Sequence, residues 1–207
     1  MILYYSLLKF NPSHPKAIND VQNPYRLHQV TSMPFTGRSR QNCRVLWRLD
    51  GNQVMMQSTQ PPNTWEHVLQ QSGYLSGPPE TKALKLNLTE GGLYWFRVVC
   101  NPAYRGQDEN NKSITIAITS PEERRQWLVK RLSESGMDVQ MVNESDKKVL
   151  KFMKNDGHRV VILTARYDGL LRISNPVLAE QQIAAGMGRG KAFGMGLVSL
   201  VPAETPF

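Results

Sequence analysis

Histidine is the side chain best matched to proton transfer near neutral pH, and the chain carries four: His14, His28, His67 and His158. His28 has the richest company. It stands in the run Pro24-Tyr25-Arg26-Leu27-His28-Gln29-Val30, just after Asn23. Asn23-Pro24 predicts a helix start, with an N-cap followed by proline at the first helical position. Helical spacing then puts Tyr25 and His28 on one face, while Leu27 and Val30 can turn toward a sheet. An imidazole, a phenol and the Arg26 guanidinium side by side suit acid–base work on a phosphodiester. Taken alone, a surface histidine with no role is the commoner outcome. His14 falls in a loop beside prolines, His67 in a helix without polar company, and His158 at a turn after Asn155-Asp156-Gly157. None of these three suggests chemistry. No His, Cys, Asp or Glu cluster has metal-ligand spacing, so no metal or other cofactor is expected. No paired carboxylates suggest a two-acid hydrolase.

A second candidate is the run Gly186-Met187-Gly188-Arg189-Gly190-Lys191-Ala192-Phe193-Gly194-Met195-Gly196. Glycines allow close backbone approach to a ligand, and exposed N–H groups beside Arg and Lys can cradle phosphate. A Walker loop needs Ser or Thr after Gly-Lys, but Ala192 follows Lys191. The dinucleotide fingerprint Gly-x-Gly-x-x-Gly is absent from the run as well. Both patterns also lie between a strand and the following helix, whereas this run follows a predicted helix and leads into a final strand. That order suits a polymeric phosphate backbone better than a mononucleotide. The plain alternative is a flexible connection with incidental charges.

The elements that must position these groups repeat in order. Ile2 to Lys9 reads as a strand, Pro24 to Met33 as a helix ended by Pro34, and Cys43 to Leu49 and Val54 to Ser58 as a hairpin around Asp50-Gly51-Asn52. Asn63 to Ser72 reads as a helix capped by Gly73, and Lys82 to Leu88 as a strand. The second half starts again with Leu93 to Cys100. Ser120 caps a helix to about Glu134, and Met137 to Val142, Lys148 to Met153 and Arg159 to Ile173 are strand-like. Asn175-Pro176 opens a helix to about Ala185. Both halves follow β-α-β-β-α-β order. The fold class is α+β: tandem ferredoxin-like domains over 1–90 and 93–207, with a linker near Glu90-Gly91-Gly92. Residues 103–112 read as a mobile polar loop.

The chain of 207 residues has a formal charge of +8 and a pI near 9.6. Such a balance favours polyanionic partners. The basic groups are Arg38 and Arg40 with Arg44 and Arg48, Arg97 with Arg105, and Lys147, Lys148, Lys151 and Lys154. Strand alternation puts Arg44, Leu46 and Arg48 on one face. Cys43 and Cys100 read as free, buried thiols in a reducing cytoplasm. No stretch approaches a membrane span, and the first residues read as a strand rather than a signal peptide.

Three features together resemble the CasE family, the CRISPR RNA-processing endoribonucleases of the type I-E Cascade complex. They are Tyr25-Arg26-Leu27-His28, Arg97-Val98-Val99-Cys100-Asn101-Pro102, and the glycine run continued by Leu197-Val198-Ser199-Leu200. They occur in the family's order across nearly the whole chain. The resemblance implies a double ferredoxin-like fold, a catalytic His28 and an assisting Tyr25. It implies metal-independent cleavage of CRISPR repeat RNA at the base of its stem-loop by the RNA's own 2′-hydroxyl. The products are a 2′,3′-cyclic phosphate and a 5′-hydroxyl, and the protein stays bound with other Cascade subunits. On this reading the RNA-binding candidates are Arg26, Arg38, Arg40, Arg97, Gly186, Gly188, Arg189, Gly190, Lys191, Gly194 and Gly196. The chain departs from the family in a short first helix, interrupted at Met33-Pro34, and in residues 103–112. A rival reading is a non-catalytic RNA-binding scaffold of the same fold. A third is a small-molecule enzyme, for which no salt-dependent RNA affinity is expected.

Overall fold

The computed structural model describes residues 1–38 and 43–203. In the first half, β1 (Ile2–Lys9) is followed by α1 (Pro15–Val21), α2 (Pro24–Ser32), β2 (Val45–Asp50), β3 (Gln53–Ser58), the single-turn α3 (Glu66–Leu69) and β4 (Glu80–Lys85). The second half holds β5 (Leu93–Cys100), a hairpin of β6 (Ala103–Gln107) and β7 (Ser113–Ala117), α4 (Pro121–Ser133), β8 (Met137–Met153), β9 (Arg159–Ile173), α5 (Pro176–Ala185) and β10 (Ser199–Pro202). The strand orders are β2-β3-β1-β4 and β10-β5-β9-β8. In each sheet the first strand sits between the third and the last, with the second at an edge. This is the ferredoxin-like arrangement, formed twice.

Three helices begin as the sequence predicts. Asn23, Ser120 and Asn175 each accept a backbone N–H of the first turn, and each is followed by proline. That pairing fills one orphan donor and removes another. α1 was not expected. The imidazole of His14 caps it, accepting from the Ala17 N–H at 3.4 Å, and Ala17 is buried beneath it. His14 is thus a structural histidine, and a His cap is not among the common start signals. α3 is one turn rather than the predicted ten residues, because only Val68 is buried and Leu69 is left 53% exposed. A helix with one anchoring side chain gains too little packing to extend.

Three strand segments differ from the pattern that the sequence predicts. β4 lies earlier than predicted and is exposed throughout, while Leu86 and Leu88 leave it to pack on the second core. The two predicted strands between Met137 and Met153 are one, paired with β9 and irregular between Val139 and Met141 and between Glu144 and Asp146. Residues 103–112 are not a loop alone. They form β6 and the turn of the β6–β7 hairpin, in which the Asp108 carboxylate accepts the Asn110 and Lys112 N–H groups at 2.9 and 2.8 Å.

The first core packs Leu8, Phe10, Leu27, Val30, Trp47 and Met56 between sheet and helices. The second packs Phe96, Val98, Leu128, Leu132, Tyr167 and Ile183, and it takes in Leu3 of β1. A buried bond from Gln57 Nε2 to the Ile183 carbonyl at 2.8 Å crosses the seam. So does Arg48 Nη1 to Ser199 Oγ, also at 2.8 Å. Arg48 does share a buried environment with Leu46, at 3% and 0% exposure. It is therefore a seam residue held by Asp50, not a surface cation for a polyanion. Burial lowers its pKa, with the bond to Asp50 opposing.

Candidate active site

α2 carries the chemistry. Leu27, Val30 and Thr31 are buried, which leaves Tyr25 and His28 half-buried on the open side of the helix. The Thr31 hydroxyl donates to the Leu27 carbonyl at 2.8 Å, and Pro34 sits in the 3-10 turn that ends the helix. Ser32, one turn after His28, stands with its Oγ 3.2 Å from His28 Nδ1. The imidazole also meets the ring of Phe193 edge-on, with centroids 6.4 Å apart. Phe193 in turn packs on Phe152 of β8 at 4.8 Å.

Two clefts meet at this ring. One, about 460 Å³, is lined by His28, Ser32, Arg38, Arg44 and Lys191 among others. The other, about 520 Å³, is lined by Tyr25, His28, Gln29, Ser32, Lys154 and Asp156 with Phe193. His28 and Ser32 line both. A strand laid across the ring would therefore meet cations on either side: Arg38, Arg44 and Lys191 toward one, Lys154 toward the other. Such a field suits a phosphodiester whose oxygens gain charge during reaction.

The glycine run has a different character from an open cradle. Gly186, Gly194 and Gly196 are buried. A Cβ on Gly194 would lie 2.6 Å from the Trp47 ring, and one on Gly196 2.3 Å from the Met187 carbonyl oxygen. Several N–H groups are spent internally: Met187 to the Gly196 carbonyl, Gly196 to Val99 and Phe193 to Gly190, at 2.7–2.8 Å. The run is a joint fitted against β2. It delivers Lys191, Ala192 and Phe193 to His28, while Gly188, Arg189 and Gly190 stay accessible. Lys191 Nζ donates to the Gly188 carbonyl at 2.6 Å. Burial, and then the Arg44 charge, lower the pKa of this ammonium.

The remaining sequence candidates divide. Arg38 lines the first cleft and is held by the Pro61 carbonyl at 2.7 Å and by Asn63. Arg189 reaches the hydroxyl of Thr115 on β7. Arg26 lines neither cleft, and its guanidinium is 3.8 Å from the Asp20 carboxylate. Arg97 is also apart. It bonds Asp168 at 2.5 Å in a separate groove with Trp95, Met141 and Ser199. Arg40 lies outside the described residues. Ser32 and Phe193 are site residues that no sequence motif singles out. Arg44 and Lys154 stand out in the sequence only as parts of charge groups. Ser32 was legible in principle, four residues beyond His28; Lys154 arrives through the β8–β9 turn, which no local pattern announces. Among the described residues, no group of three or more His, Cys, Asp or Glu could hold a metal ion. No helix among them is long and apolar enough to cross a membrane.

Known proteins share this fold. A family model described as CRISPR associated protein matches residues 3–202. The CRISPR-associated endoribonuclease Cse3 of Thermus thermophilus is 28% identical, over 97% of this chain and 100% of that protein. The CRISPR system Cascade subunit CasE of Escherichia coli K12 is 25% identical, over 86% of this chain and 92% of its own. The solved structure of Thermus thermophilus Cse3 bound to an RNA representing a pre-cleavage complex superposes with a TM-score of 0.84 at 27% identity, covering 98% of this chain and 100% of that one. With the double ferredoxin-like fold in place and the match running from β1 to β10, the chain belongs to the CRISPR-associated protein family, in its CasE/Cse3 branch.

Proposed function

We propose that this protein is the endoribonuclease that cleaves CRISPR repeat precursor RNA at the base of its stem-loop and then stays with the product as a Cascade subunit. The observation that carries the reading is the placement of His28 between two clefts, with Tyr25 in one and cations in both. The names and RNA-bound state of its relatives support it. In the proposed reaction the RNA 2′-oxygen attacks the adjacent phosphorus and the bond to the 5′-oxygen breaks. One proton leaves the 2′-hydroxyl and one is supplied to the 5′-oxygen. The products are a 2′,3′-cyclic phosphate and a 5′-hydroxyl.

His28 performs one of the two proton transfers, and Tyr25 orients the 2′-hydroxyl or serves as its partner. Histidine is the side chain best matched to proton transfer near neutral pH, so the imidazole carries the larger share. Lys191, Arg44 and Lys154 supply the positive field for the transferring oxygens. No metal enters the proposed steps, because the 2′-hydroxyl is an internal nucleophile already in place. A-form stems hide base edges in a deep groove, so selection rests on shape and backbone contacts. The two proposed domains, 1–90 and 93–207, divide the labour. The first brings the imidazole; the second brings the loop that holds it and the exposed Arg189.

The test is to incubate the purified protein with its host's repeat hairpin in EDTA. One cut is expected, with a cyclic phosphate on the 5′ fragment, and 2′-deoxy substitution at the cut site blocks it. A strict magnesium requirement, or cleavage of the deoxy substrate, would overturn the mechanism. Binding without any cleavage would leave the scaffold reading.

A further inference from the structure

We propose that Ser32 is a positioning residue for His28: its hydroxyl accepts a hydrogen bond from Nδ1–H and so makes Nε2 the ring nitrogen that exchanges protons. The inference deepens the reading of His28 above and rests on it for its catalytic meaning.

The contact is local and built into α2. Ser32 Oγ is 3.2 Å from His28 Nδ1, one helical turn along. The neighbouring Thr31 hydroxyl is spent on backbone carbonyls of the same helix, but that of Ser32 turns to the ring. A neutral imidazole carries one N–H and one lone pair, and the partner of one nitrogen decides what the other does. A serine hydroxyl can donate or accept, so the contact by itself allows either tautomer.

The chemistry selects between them. Imidazolium has N–H at both nitrogens, so only an accepting Ser32 fits the protonated ring. As a base, the Nδ1–H tautomer takes the 2′-hydroxyl proton on Nε2 and becomes imidazolium. As an acid, imidazolium releases its Nε2 proton to the 5′-oxygen and becomes the same Nδ1–H tautomer. In both directions Ser32 accepts before and after, and nothing has to reorient during the step. A donating Ser32 would place the resting proton on Nε2 and require the hydroxyl to turn as the ring charged.

Among the described residues, the ionisable groups lining the two clefts beside the ring are Tyr25 on its own helix, Lys154 and Asp156 from the β8–β9 turn, Arg38, Cys43 and Arg44 on the approach to β2, and Lys191 from the glycine run. These set the overall field at the imidazole. Ser32 Oγ lies within hydrogen-bond reach of one ring nitrogen, Nδ1, and a contact of that kind bears on the choice of tautomer.

The test uses the full chain labelled with ¹⁵N-histidine. Two-bond ¹⁵N–¹H correlation spectra above the ring's titration should show His28 protonated at Nδ1 in the wild type. Ser32→Ala should lose that preference and Ser32→Thr should restore it. In single-turnover cleavage of the repeat hairpin, Ser32→Ala should slow by roughly 5- to 20-fold, the value of one hydrogen bond. The limb of its pH–rate profile that reports His28 should move to lower pH, because the imidazolium has lost an acceptor. Ser32→Thr should stay near wild type in rate and profile. A wild-type ring protonated at Nε2 would overturn the proposal, whatever the variants do. So would a Ser32→Ala protein with the wild-type tautomer and pH profile. If His28→Ala is inactive while Ser32→Ala is unchanged, only this inference fails; if His28→Ala cleaves normally, the reading beneath it fails.

Discussion

Replacing Gly194 by alanine tests whether the glycine run is a packed joint or a phosphate cradle. Gly194 has φ of +82°, and an added Cβ would lie 2.6 Å from the buried Trp47 ring. Left-handed backbone costs a non-glycine residue about 1 kcal/mol. Forcing a methyl group into filled space costs about 1–3 kcal/mol more. The sum, about 2–4 kcal/mol, lowers the melting temperature of a domain of this size by roughly 4–16 °C. Gly188 is the matched control. Its φ is +69°, but the nearest atom to its Cβ, on Trp127, is an ordinary 3.6 Å away. Gly188→Ala therefore loses only the backbone part, about 1 kcal/mol or roughly 2–4 °C. Thermal unfolding followed by near-ultraviolet circular dichroism measures both variants. Gly194→Ala should melt well below Gly188→Ala and cleave poorly at temperatures where it stays folded. Equal melting of the two, with RNA affinity lost in Gly194→Ala alone, would refute the joint and restore the cradle.

Other expectations follow from the same contacts. Phe193→Ala removes the ring that meets both His28 and Phe152. Cleavage should fall several-fold, with binding of a 2′-deoxy repeat hairpin largely kept, and gel-shift and single-turnover assays separate the two. Asp168 is held at a pKa of about 2. Burial pushes it up, but hydrogen bonds from Arg97, Ser145 and Arg166 outweigh that. A carboxylate depressed in the folded state stabilises above its unfolded pKa, and the gain is lost as pH falls through the folded value. Asp168→Asn should therefore melt below wild type at pH 7, with the gap closing between about pH 4 and 2. A gap that persists at pH 2 would contradict that assignment.

Much of the frame could be read from local signals. Asx or Ser caps followed by proline marked α2, α4 and α5, because those side chains satisfy backbone donors wherever the helix sits. Leu27 and Val30 told which side of α2 was buried, and so which side carried Tyr25 and His28. What could not be read depends on distant partners. The glycine run is open in the sequence to a phosphate cradle or a plain connection, because glycine licenses both close ligand approach and close packing, and the contacts with Trp47 and Leu46, far back in the chain, show only in the fold. Arg48 reads in the sequence only as one of a basic group sharing a face with Leu46; its burial depends on Asp50 and, across the seam, on Ser199. β4 carried an alternating pattern, yet Leu86 and Leu88 had better burial beyond its end, against the second core. Lys154 lines the cleft beside His28 only because β8 and β9 form a long hairpin whose turn lies near α2.

Proton transfer by His28 in RNA cleavage is measured most directly by single-turnover cleavage of the host's repeat hairpin in EDTA by wild type and His28→Ala. Removing a general acid or base costs about 10²–10⁴-fold in rate. The expected loss is of that size or greater, with hairpin affinity within a few-fold of wild type. Cleavage by His28→Ala at the wild-type rate would contradict it.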